Sequence, residues 1–208
     1  MKKTCIKAAV IAGITAAILS SCATAKSTLT TADNLSSVYV TNTNKVKLLS
    51  PEYMDKEIDA LYVFSADFGK QSMSALSYFF ADSEEMNLLL LSDFGIEIGS
   101  LRYDGKTLDF SMAAAGGAIK GEYIACDLEN IFYPAQYLEE HYAASSLIFE
   151  SSDADGAEVT RTISTGKKTV EKITMTLTED GIPDEVTLIN YLRGYSYKLK
   201  LTEERCFF

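Results

Sequence analysis

Cations, histidine and tryptophan are what this chain has least of. Only 19 Lys+Arg stand against 29 Asp+Glu, for a net charge of −10, with one histidine and no tryptophan. A deficit of cations argues against nucleic acid, which is gripped through basic patches. It also argues against flat adsorption on anionic headgroups. The lone histidine, His141 in "YLEEHY", reads as a solvated helix member. No Gly-x-Ser-x-Gly elbow, Gly-rich phosphate loop or Cys-x-x-Cys pair occurs, so the usual routes to an activated nucleophile, a bound phosphate or a redox pair are missing. The expectation is a protein with no catalytic residues, no metal and no cofactor beyond covalent lipid. One acidic cluster, "SSDADGAE", sets Asp153 and Asp155 before Gly156. It lacks the remaining ligands of a calcium loop and reads as a hairpin turn. Internal repeats are absent, and nothing after Ser21 is long and apolar enough to span a bilayer.

What is present begins with the first 22 residues. Lys2, Lys3 and Lys7 precede the apolar run "AAVIAGITAAIL", the layout of a secretory signal. Leu19-Ser20-Ser21-Cys22 then has the form of a bacterial lipobox, so cleavage before Cys22 is expected. That residue would carry a diacylglycerol and an N-acyl chain. Two or three acyl chains, at about 0.8 kcal/mol per buried methylene, anchor a protein where one would not. Ala23 rather than Asp after the cysteine fits sorting to the periplasmic face of the outer membrane. Removing residues 1–21 leaves 187 of 208 and takes three lysines but no acid, so the charge moves from −10 to −13. The two other mature cysteines, Cys126 and Cys206, are able to pair in an oxidising envelope or to remain free.

Residues 22–50 form the expected tether. From Ala23 to Asn44, nine of 22 residues are Ser or Thr, and the segment lacks the apolar periodicity that would favour ordering. Residues 51–208 form the expected domain. Two-residue alternation dominates there, punctuated by turn signals such as Gly69-Lys70 and Asp104-Gly105, and predicts a meander of short antiparallel strands. In "GEYIACDLENIFYPAQYLEEHY", Ile124, Leu128 and Ile131 make one apolar helical stripe. Pro134 ends that helix and opens a second. Alternation resumes in "TVEKITMTLTED", "EVTLIN" and "YSYKLKL". The fold class is α+β: a strongly curved antiparallel sheet with a small helical lid.

"MNLLLLSDFG" (Met86 to Gly95) poses a separate question. Asp93-Phe94-Gly95 matches a kinase metal loop, but the phosphate loop, strand lysine and catalytic-loop aspartate of a kinase are absent. The leucines read as a core strand and Asp93-Phe94-Gly95 as its turn. Phenylalanine is out of place at a turn tip, and such a side chain either tucks back or is offered to something outside.

The stretch "NLLLLSDFGIEIGSLRYDGKTLDF", with "IACDLENIFYPAQYL" after it and "GIPDEVTLIN" and "GYSYKLKL" near the C-terminus, resembles a family of bacterial outer-membrane lipoproteins. Members are often encoded beside aryl-polyene or other fatty-acid-like biosynthetic genes. That family is similar in turn to the lipoprotein-localisation factors of the LolA/LolB type. The resemblance implies an incomplete β-barrel, open on one side, whose apolar cavity shelters acyl chains. It places a membrane or cargo handoff tip at Phe94. Leu89, Leu91, Ile173, Met175, Leu177, Tyr197 and Leu199 are the expected cavity lining. It implies a monomer that binds or transfers lipoproteins or a lipid-like product, with a periplasmic carrier as a candidate partner. The chain departs from the pattern in having Asp93 before the tip and no tryptophan. The competing reading is a structural or interaction lipoprotein whose core is filled and binds no ligand.

Overall fold

The computed structural model describes residues 28–31, 37–69, 71–113, 119–154 and 158–204. The expected signal segment, Cys22 and Cys206 lie outside them. In chain order the elements are β1 (Thr28–Thr31), β2 (Val38–Tyr39), β3 (Lys45–Val46), β4 (Ile58–Asp67), β5 (Ser72–Ala81), β6 (Met86–Leu91), β7 (Glu97–Tyr103) and β8 (Thr107–Met112). Helices α1 (Gly121–Phe132) and α2 (Ala135–Ala143) follow, and then β9 (Ile148–Ala154), β10 (Glu158–Thr165), β11 (Lys168–Leu177), β12 (Pro183–Asn190) and β13 (Tyr195–Glu204).

Eleven strands form one sheet in the order β1-β8-β7-β6-β5-β4-β13-β12-β11-β10-β9, and β2 pairs with β3 separately. Every pairing is antiparallel. The sheet curls. Helix α1 touches both β8 and β12, which stand six strand steps apart in that order. Flat, they would be about 29 Å apart at roughly 4.8 Å per step, beyond the ~18 Å length of a twelve-residue helix. Irregular register at Leu90/Leu91, Ile163/Ser164, Met175/Leu177 and Leu201/Glu203 supplies the local bending, since a bulge increases twist. The order begins at β1 and ends at β9 without closing, so the barrel is incomplete.

Both expected helices form. Pro134 caps α2 at its N-terminus, and α1 is held at its far end by an arginine from the sheet. Arg161 Nη1 on β10 donates to the carbonyls of Asn130, Ile131 and Tyr133 at 2.8, 3.0 and 2.9 Å, satisfying acceptors that a helix C-terminus leaves unpaired. At the other end Gly121 lets α1 lie close on β8: a Cβ there would sit 2.6 Å from Phe110 Cβ.

The stretch expected as tether behaves differently from residue 38 onward. Val38, Val40, Val46 and Leu49 are buried in the core, and the Leu49 N–H donates to Glu129 Oε1 at 3.0 Å. Asn44 Nδ2 donates to the Ser145 carbonyl. The Ser/Thr content of this stretch concealed four apolar side chains that wrap the helices. Residues 28–31 pair with β8 as the sheet's outermost strand.

The interior has two unlike halves. Beneath α2 and the end of α1 it is solid: Phe79 stacks on Phe132 at 4.1 Å, and Tyr142 on Phe149 at 5.6 Å. Under the first two turns of α1 it is hollow.

Candidate functional site

The hollow follows from side-chain size on the inner face of the central strands. Tyr62, Ser77 and Leu90 stand in one cross-strand row, and Phe64 and Ala75 in the next. Gly99 pairs opposite Leu90. Ser77, between Tyr62 and Leu90, lines the cavity and leaves space that its large neighbours do not fill, whereas Met112 and Leu90 pack over Gly99. The cavity holds about 370 Å³, within the range of ligand pockets. Its sheet wall includes Phe64, Phe68, Met73, Leu88, Leu90 and Leu199, and its lid face is Tyr123, Ile124, Asp127 and Leu128 of α1 with Lys120, the residue that caps its N-terminus. These lid positions recur at 3, 4, 7 and 8, the spacing of one helical face. Lys120 and Arg193 are the exposed members of the lining and mark the mouth.

One wall is polar. Tyr195 donates its hydroxyl to Asp127 Oδ2 at 2.8 Å. Glu171 accepts from Asn130 Nδ2 on Oε1 at 3.0 Å and from Asn190 Nδ2 on Oε2 at 2.9 Å. Both amides are fixed in orientation, because Asn130 Oδ1 accepts from the Tyr142 hydroxyl and Asn190 Oδ1 from the Arg193 N–H. Glu171 is thus presented with two donors, which suits its anion. Burial pushes Asp127 well above the usual carboxylate range, and the Glu171 charge adds to this. Burial also raises Glu171, to about 7. Like charges in one dry site disfavour double ionisation, so the pair retains a proton to a higher pH than an exposed carboxylate would. Arg193 lies over the Tyr123 ring at 4.4 Å and donates to the Tyr39 carbonyl. Ser77 Oγ, on the cavity floor, is buried without a hydrogen-bond partner.

The expected lining residues separate into three groups. Tyr197 and Leu199 line the cavity. Ile173 and Met175 are buried and belong to the filled half, while Leu177 is half-buried against the same core. Leu89 and Leu91 are not on the cavity: Leu88 and Leu90 take that face. By register Leu89 instead lies in an outer row with Tyr78 and Leu61, and Leu91 in one with Leu76 and Val63. In a strand a one-residue shift exchanges the faces, and four consecutive leucines carry no alternation to fix it. The polar wall was the larger omission. Its one signal was Glu171, an acid heading the otherwise apolar stripe of Ile173, Met175 and Leu177.

Phe94 sits at the tip of the β6–β7 hairpin and is 90% exposed. Gly95 turns the chain at φ +74°, and Ser92 closes the loop by accepting from Gly95 and donating to Ile96. His141, half-buried, donates Nε2–H to the Lys47 carbonyl at 2.7 Å, and burial lowers its pKa. Asp153 lies in β9, while Asp155 and Gly156 fall outside the described residues. Cys126 is buried with a free thiol. No helix among the described residues is long and apolar enough to cross a membrane.

A family model described as "Protein of unknown function (DUF3261)" matches residues 63–204. No curated protein sequence matches the chain. Among solved structures, it is similar to a crystal structure from Vibrio parahaemolyticus, provisionally described as an outer membrane lipoprotein-sorting protein domain. The TM-score is 0.37 and the identity 9%, over 74% of this chain and 87% of that one.

Proposed function

This chain belongs to the DUF3261 family, and from its architecture we propose a lipid-anchored envelope protein that binds or transfers acylated molecules in the cavity under α1. The cargo is a lipoprotein or a lipid-like biosynthetic product. The diacylglycerol and N-acyl chain on Cys22 hold the protein at the periplasmic face of the outer membrane, and a periplasmic carrier is its natural donor or acceptor. It acts as a monomer and does no chemistry on its cargo. Phe94 is the handoff tip.

The observation that carries this reading is the cavity itself. At roughly 30 Å³ per water-sized group, its 370 Å³ accommodates on the order of a dozen methylenes. Each contributes about 0.8 kcal/mol on leaving water, before the cost of ordering the chain is subtracted. The hydrogen-bonded Asp127–Tyr195 pair gives the apolar site one polar anchor, which suits an ester, amide or acid carbonyl at the end of the chain.

Native mass spectrometry of the mature protein purified from membranes tests the proposal. A co-purified acyl species, present as a defined mass increment beyond the anchor, is the expected result. Reproducible absence of any bound lipid would favour a structural lipoprotein.

A further inference from the structure

The two ends of the curled sheet carry different chemistry. Strand register assigns each turn to an end. The β4–β5, β6–β7, β10–β11 and β12–β13 turns all fall at the end where Leu91, Asp67, Lys168 and Tyr195 lie. The cavity mouth, at Lys120 and Arg193, is at this end. The β5–β6, β7–β8, β9–β10 and β11–β12 turns fall at the other.

Exposed apolar side chains gather at the mouth end. Phe94 (90%) and Ile96 (65%) are on the β6–β7 hairpin, and Tyr191 (53%) is on the β12–β13 turn. Tyr39 holds Arg193 through its carbonyl, and Ile148 begins β9; both are also exposed. Among the described residues, the one other large exposed apolar side chain is Val63, on the outer face of β4. Charge divides the same way. Exposed Lys167, Lys168, Lys120 and Arg193 surround the mouth, with Asp67, Asp93 and Glu97 among them, whereas the far turns expose Glu84, Asp104, Glu158, Glu179 and Asp180 against Lys106, and Lys56 donates to the Asp180 and Gly181 carbonyls.

The chain enters at this end too. Thr28 of β1 pairs with Phe110, and Thr31 with Thr107, so β1 starts toward Met112, which pairs with Gly99 beside the β6–β7 hairpin. Cys22 precedes Thr28 by six residues, a reach of at most about 20 Å.

We infer that the mouth end is a docking face for an anionic lipid surface, so that the cavity opens onto the bilayer that holds the chain. Aromatic and apolar side chains seat at such an interface. The lysines and Arg193 favour anionic headgroups there, and the acidic far end is repelled by them. The net charge opposes flat adsorption but not this end-on pose, because the charges are segregated. Asp93 beside Phe94 keeps insertion shallow. Docking stands on this surface alone. Its consequence, passage of acyl chains between cavity and bilayer without crossing water, rests on the acyl-binding reading above.

The test uses the full chain with its native anchor, reconstituted in phosphatidylethanolamine vesicles with or without phosphatidylglycerol. A trace phospholipid bears a diazirine in its tail. After irradiation, labelled peptides are mapped, and the anchor-proximal residues 23–27 set the baseline. Label on 92–96 and 191–194, reduced several-fold by omitting phosphatidylglycerol or by Lys167→Glu with Lys168→Glu, is expected. Equal label on the 82–85 and 178–182 turns, or label on residues 23–27 and nowhere else, would overturn the docking face. Label at 92–96 without label on Leu88 or Leu90 would keep the docking face and remove the acyl-binding reading. Label confined to Leu88 and Leu90 would do the reverse.

Discussion

Tyr195 donates its hydroxyl to Asp127 across 2.8 Å, tying the start of β13 to the second turn of the helical lid at the wall of the cavity. The bond links a buried acid pair to the position of α1.

Burial raises Asp127 and, to about 7, Glu171. A folded-state value above the unfolded one, ordinarily about 4, means that the native state binds more protons. The stability from this pair is therefore complete below about pH 4 and is lost as pH rises through about 7. Asp127→Asn retains an acceptor for Tyr195 and abolishes one titration. Relative to the parent, the variant should gain up to ~1.4 kcal/mol per pH unit across pH 5–7. Thermal melts at several pH values check the slope. A difference that is flat with pH would remove the acid pair from this account.

Ser77→Phe should plug the cavity. The hydroxyl it replaces has no partner, and the ring would enter empty space, so the overpacking cost should stay below the 1–3 kcal/mol typical of a filled core. The expected result is a folded protein that co-purifies with no lipid, judged by circular dichroism and native mass spectrometry together.

Gly121→Ala should loosen the lid. The new methyl would stand 2.6 Å from Phe110 Cβ and 2.8 Å from Phe110 Cγ, and relieving that contact requires α1 to move off β8. A loss of about 1–3 kcal/mol should appear as a lower denaturation midpoint in urea, with faster amide exchange along 121–128 than along 129–132.

Arg161→Ala leaves three helix-end carbonyls without their donor. Bonds from a charged group are worth roughly 1.5–3 kcal/mol each in net terms, and part of the loss is recovered by water entering the gap. A destabilisation of about 2–4 kcal/mol is expected, with Arg161→Lys intermediate. If alanine costs less than half a kcal/mol, β10 does not hold α1.

Phe94→Glu should leave the melting temperature almost unchanged, since exposed substitutions shift stability by about ±0.5 kcal/mol and Phe94 is 90% exposed. Delivery of acyl cargo to liposomes should fall sharply. Unfolding of the variant would show that the side chain supports the core.

Strand alternation, the Pro134 break and the glycine turns were legible along the chain because each is a local property of backbone sterics and side-chain period. The sequence by itself determined an antiparallel meander, two helices in its middle and an apolar residue at the tip of a turn. Tertiary structure decided which face of "LLLL" looks inward, since equal neighbours carry no phase and only the pairing with β5 and β7 supplies it. It also decided where the interior is hollow, since Ser77 of β5 leaves room only once α1 is laid across the sheet. The same holds for the coupling of Asp127 with Glu171, 44 positions away, and for the gathering of the exposed apolar turns at one end. Cavity, acid pair and exposed apolar end are each made by residues distant in sequence, and only the curl of the sheet brings them together.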